Sequence, residues 1–182
     1  MSGNELLLER YLPEFQFRNK HSTVIRAPSA RVYRAMESLN LSRSLPVRIL
    51  LRLRGLPTSG STWENFRRLR FCELGRIPER EFALGVVGQF WTWKGRLQRL
   101  DAQGFLNFAQ EGYAKAIWHF GLEPAGEGRS VLHTETRIQC LGDKAYRKFR
   151  RYWNFIAPFS GFIRKRSLEI VRCDAEAAEG NP

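Results

Sequence analysis

Apolar positions change their period three times along the chain, first from mixed to helical, then to alternating, then back to helical. From Phe15 the sequence runs to the β-branched pair Val24 and Ile25 and then to Ala27 and Pro28, where proline suits the first turn of a helix. This predicts a strand that hands over to a helix. Val32, Ala35, Met36 and Leu39 then recur at helical spacing, and from Leu45 the positions Ile49, Leu53 and Leu56 repeat the pattern until Gly55 and Pro57 stop it. A loop follows at 58–61, and 62–69 reads as a short helical turn.

Beyond that point the period is two. Residues 71–77 and 81–91 read as a hairpin with Pro78 in its turn, and a further strand is expected around 92–100, ending at Asp101 to Gly104. Strands at 105–110, 113–124 and 130–140 complete an antiparallel meander of about six strands if the first strand joins it. Asp143 is a plausible N-cap, and Ala145, Phe149, Tyr152, Trp153, Ile156, Phe159, Ile163, Ile170 and Val171 carry a helical stripe to Ala178. Pro158 falls inside that stripe and is expected to kink it.

Composition narrows the class. The 182 residues are 43% hydrophobic and 26% charged, which suits one globular domain, residues 1–182 with a core from about 15 to 175. No apolar run has a membrane-spanning length, and the opening residues lack a basic stretch followed by an apolar one, so a cytoplasmic protein is expected. Cys72, Cys140 and Cys173 are odd in number and widely spaced, which argues against a disulfide framework and a zinc site. The formal charge is +12, and an anionic partner therefore has to be considered.

Strand, short helices, antiparallel strands and one long last helix is the element order of the helix-grip fold, an α+β class in which a curved sheet wraps around the final helix. The segment 21–36, with a strand ending at Ala27–Pro28 before a helix that carries Tyr33, resembles the opening of the START-like (SRPBCC) superfamily. Residues 116–138 are similar to its last strand pair, and Asp143, Phe149, Trp153, Pro158 and Arg164 resemble the last helix of a bacterial branch without assigned activity. The resemblance implies an apolar cavity between sheet and helix, used in that superfamily for lipids, polyketides and aromatic compounds.

The residues themselves suggest what would line such a cavity. Alternation puts Trp118 and Phe120 on the face shared by Ala114, Ala116 and Leu122, with His119 opposite. Phe90, Trp93, Phe105 and Phe108 fall on neighbouring predicted strands, and Trp153, Ile156, Phe159 and Ile163 on the helix. Thr134 and Thr136 share a face with Leu132 and Ile138, leaving His133, Glu135 and Arg137 on the other, where the last two are expected to pair at the surface, with a polar anchor at the cavity as the alternative. For any one of these aromatics, plain core packing is the competing explanation.

No P-loop, GxGxxG, GxSxG or HExxH pattern is present, so neither a nucleotide, a metal nor another cofactor is expected. His119 and Tyr113 are the candidates for proton transfer should the cavity host a cyclase, dehydratase or hydrolase reaction. Basic residues cluster twice: Arg43, Arg48, Arg52, Arg54, Arg67, Arg68 and Arg70 in one region, and Lys144, Arg147, Lys148, Arg150, Arg151, Arg164, Lys165, Arg166 and Arg172 along the last helix. They read as solvated faces, with an anionic surface, membrane or nucleic acid, as the alternative; membrane is preferred to nucleic acid because no recognition motif accompanies the cations. The expected function is non-catalytic binding of a small apolar or amphipathic molecule.

Overall fold

The computed structural model describes residues 5–47 and 69–177. Five antiparallel strands form an open sheet in the order β1-β5-β4-β3-β2: β1 Phe17–Ile25, β2 Cys72–Ile77, β3 Glu81–Gly88, β4 Ala114–Pro124 and β5 Ser130–Cys140. The helices are α1 Leu7–Tyr11, α2 Ser29–Glu37, α3 Ala102–Asn107 and α4 Asp143–Ala177. The molecule is an α+β protein in which the long last helix packs on the sheet, as in a helix grip. The predicted helix from Leu45 lies almost wholly outside the described residues, as do the turn at 62–69 and Arg48, Arg52, Arg54, Arg67 and Arg68.

The two strands that alternate most regularly form the centre of the sheet. In β4 and β5, Trp118 sits opposite Thr136 and Phe120 opposite Thr134, while His119 sits opposite Glu135 and Gly121 opposite His133. Because side chains alternate across a strand, the first set faces one side, here the front, and the second faces the back. The helix α4 covers β1 and β5 on the front beside α2.

At 35 residues α4 is about 52 Å long at the usual rise per residue. It continues through Pro158, whose ring nitrogen leaves the carbonyl of Asn154 without its usual donor. Its buried residues fall in two groups, Ala145 and Phe149 near the start, then Gly161, Arg164, Ser167, Leu168 and beyond toward the end.

The sheet has five described strands rather than about six. Residues 92–100 do not extend. They turn back on the end of β3, with Gly95 and Arg96 at positive φ and hydrogen bonds from Gln89 to Gly95 and from Gln98 to Val87. Residues 105–110 are not a strand either, because the Asp101 carboxylate accepts from the Gly104 amide at 2.7 Å and starts α3. The leader, the segment that precedes β1, also has structure. Leu7, Leu8, Tyr11 and Leu12 lie at helical spacing and close over the back of the sheet together with α3.

Candidate functional site

The front face carries two apolar clusters with a polar strip between them. One cluster gathers Ile25, Val32, Met36, Trp118, Phe120 and Leu168, and the other gathers Ile138, Ala145, Phe149 and the half-buried Phe17, Phe90 and Trp153. The strip is made of Asn19 and His21 on β1, Thr134 and Thr136 on β5, and Arg164 on α4. Register places Asn19 beside Thr136 and His21 beside Thr134.

Arg164 organises the strip. It is only 9% exposed. Its Nε donates to Thr136 Oγ1 at 2.6 Å, and its Cζ lies 4.6 Å from the centre of the Trp118 ring. The indole is itself fixed: Trp118 Nε1 donates to Thr134 Oγ1 at 2.9 Å, and that hydroxyl donates to the His119 carbonyl at 2.9 Å. Burial pushes the Arg164 guanidinium down to about 9, which leaves it charged at neutral pH. No ion pair joins it to a carboxylate among the described residues.

The helix backbone comes close to the strip at Gly161, where a Cβ would stand 3.4 Å from both Asn19 Nδ2 and His21 Nε2. His21 Nε2 is buried without a hydrogen-bond partner. Burial lowers the His21 pKa, and the charges of Lys165 and Arg164 lower it further, so the imidazole is neutral at neutral pH.

Of the residues singled out from the sequence, Trp118, Phe120, Thr134 and Thr136 share this front face, and Trp153, Ile156, Phe159 and Ile163 lie half-buried along α4. Phe90 packs edge-on against Phe149 at the neighbouring end. Phe105, fully buried, and Phe108 lie on the other side of the sheet, because their segment folds as a helix rather than a strand. Trp93 is 93% exposed at the turn that replaces the expected strand. Asn19 and His21 join the front face, and in the sequence only alternation within β1 marks these two. Arg164, which reads in sequence as part of a solvated face, is buried instead.

The back face is polar and buried as well. Glu81, 1% exposed, accepts from His119 Nε2 at 2.9 Å and from the Leu7 amide at 3.0 Å. Burial alone would raise the Glu81 carboxyl, yet these two hydrogen bonds, together with the electrostatic influence of His119 and Arg80, outweigh it and hold the group below the usual carboxylate range. An ionised carboxylate only accepts, so His119 carries its proton on Nε2, and Nδ1 is left buried without a partner. Glu135 and Arg137 are buried rather than at the surface. Glu135 accepts from Arg18 and Arg137, while Arg137 also reaches Glu9 and the Leu12 carbonyl beneath the leader. The two candidates for proton transfer therefore stand apart from the front strip: His119 is sealed under α1, and Tyr113 packs edge-on against Phe108 in the back cluster.

Burial raises the Cys72 and Cys140 thiols to about 11 and about 12, values at which neither forms a thiolate near neutral pH. Among the described residues no three His, Cys, Asp or Glu side chains converge as a metal site, and no helix is long and apolar enough to cross a membrane. A cleft of about 680 Å³ opens at the rim, between the turn carrying Trp91 to Arg96 and the first turns of α4 at Lys144 and Lys148.

No family model matches the chain, and no curated protein matches its sequence. Among solved structures it is similar to the di-domain ARO/CYC BexL from the BE-7585A biosynthetic pathway, at 11% identity and a TM-score of 0.37 over 91% of this chain. The chain spans about half of BexL, 48% of its length. It is also similar to TTHA0849 from Thermus thermophilus, at 10% identity and a TM-score of 0.29, covering 91% of this chain and all of that one. The topology itself, and not these likenesses, defines the fold.

Proposed function

We propose that the protein binds a small amphipathic molecule between the middle of α4 and the front of the sheet, without catalysing a reaction on it. One observation carries this reading: between Phe149 and Gly161 the helix contributes no buried residue, although Trp153, Ile156 and Phe159 lie there. A helix packed for stability alone buries its apolar stripe continuously. Here the stripe is half-covered where the sheet beneath offers an aromatic ring and a few polar groups, the mixture typical of small-molecule sites. A neutral fluorescent probe, N-phenyl-1-naphthylamine, should bind the folded protein saturably and lose affinity in Trp153→Ala and Phe159→Ala. Fluorescence that rises only as the protein unfolds would refute the reading.

The rim favours a second, compatible reading, an anionic membrane surface. Trp93 stands out from the molecule beside the exposed cations Lys94 and Arg96, with Lys144 and Lys148 close by on α4. An exposed indole among cations suits the interface of a negatively charged bilayer. Vesicles containing phosphatidylglycerol should sediment the protein, and phosphatidylcholine vesicles, or the Trp93→Ala variant, should do so much less.

A further inference from the structure

Resting on the binding reading above, we propose that the bound molecule is an amphipathic acid, its carboxylate seated by Arg164, His21 and Asn19 and its apolar body along the half-buried middle of α4. A buried guanidinium normally carries a counter-charge, since taking a cation out of water is costly unless it is paired. Other arginines of this chain follow that rule. Arg137, equally buried, has Glu9 and Glu135, and the more exposed Arg76 and Arg43 have Glu37 and Asp174. Arg164 has one hydroxyl and one aromatic face, which offset only part of the penalty.

The surroundings are poor in acids and rich in donors. The front-facing positions of β1, β5 and β4 carry no Asp or Glu; the acids of these three strands, Glu123 and Glu135, fall on the alternate positions. Glu169 and Asp174 of α4 are engaged by Arg166 and Arg43. What faces the strip instead is Asn19 Nδ2, the unpartnered His21 Nε2, and Thr136, whose Oγ1 already accepts from Arg164 and so has its hydrogen free to donate. Lys165, exposed beside this group, adds positive potential. An anion entering here supplies the missing counter-charge. A carboxylate on an apolar body does so while also covering Ile156 and Phe159.

The test compares 1-naphthaleneacetic acid with its methyl ester as displacers of N-phenyl-1-naphthylamine from the native protein at pH 7.5. The acid is expected to bind roughly tenfold to a hundredfold more tightly than the ester, as a charge-assisted hydrogen bond gives. Arg164→Gln should bring the acid down to the ester's affinity and leave the ester unchanged. Thr136→Val, which frees the guanidinium from its anchor, should weaken the acid selectively and serves if Arg164→Gln does not fold. Equal affinity of acid and ester in the native protein would overturn this inference and leave the binding reading standing. Failure of the neutral probe to bind at all would overturn both.

Discussion

The guanidinium of Arg164 lies 4.6 Å from the centre of the Trp118 ring, joining the last helix to the middle of the sheet. The contact relies on the indole being held by Thr134, so Trp118 is both a packing residue and a platform. Trp118→Ala should cost about 3–5 kcal/mol, as for other buried tryptophans. Trp118→Phe keeps the ring but drops the Nε1 hydrogen bond and should cost less, about 1 kcal/mol for that bond plus the packing lost with the smaller ring. Urea unfolding midpoints measure both, and equal losses would show that the hydrogen bond, not the bulk, dominates.

His119 is a structural partner of Glu81, not a reporter of the front strip. His119→Ala leaves a buried carboxylate with one donor fewer and should destabilise the fold by about 1–3 kcal/mol. Because His119 faces away from Trp118, affinity for N-phenyl-1-naphthylamine should stay within a factor of two. A variant that folds stably and yet loses probe binding would place the ligand on the back face.

Gly121 is required by a close approach rather than by its backbone angles. A Cβ there would overlap Nε2 of His133, its partner across the strands. Gly121→Ala should therefore destabilise, by about 1–3 kcal/mol as an overpacked core does, and His133→Ala in the same chain should restore part of the loss. Additive losses in the double variant, read from thermal unfolding, would show that the two side chains do not compete for that space.

Acid should weaken the fold in two stages. Burial, with neighbouring His119 and Lys20, depresses His133, and burial with Lys165 and Arg164 depresses His21. The unfolded imidazoles take up protons as the pH falls through 6.5, which the folded ones resist, so stability declines from there until their depressed values are passed. Glu81 and Glu135 are held below 4.5, and their contribution, present above that pH, is lost only below it. Stability measured from pH 8 to pH 3 should fall in both windows, with His133→Gln flattening the upper one. A flat profile from pH 7 to pH 5 in the unmodified protein would contradict the burial of these histidines.

Alternation and helical spacing made the central hairpin and the last helix legible, because β4 and β5 alternate front-facing apolar and hydroxyl side chains with mostly titratable ones, and α4 repeats its apolar positions at helical spacing. Asp101 shows where local reading failed: a single side chain capping Gly104 turned an expected strand into α3 and carried Phe105 and Phe108 to the back. Arg164 was invisible for another reason. Its charge placed it with the surface cations Lys165 and Arg166, and only the approach of α4 to β5 reveals that it is buried. The back face follows the same logic, since His133, Glu135 and Arg137 read as solvent-facing although all three are buried, Arg137 against Glu9 and the Leu12 carbonyl.

The central claim concerns where a small molecule sits, and fluorine resonances of the tryptophans test it most directly. Protein labelled with 5-fluorotryptophan, its signals assigned by single Trp→Phe variants, is titrated with N-phenyl-1-naphthylamine. The account predicts saturable shifts of the Trp118 and Trp153 resonances while Trp93, exposed at the rim, stays in place. Shifts confined to Trp93, or none at Trp118 and Trp153 while the probe binds, would contradict it.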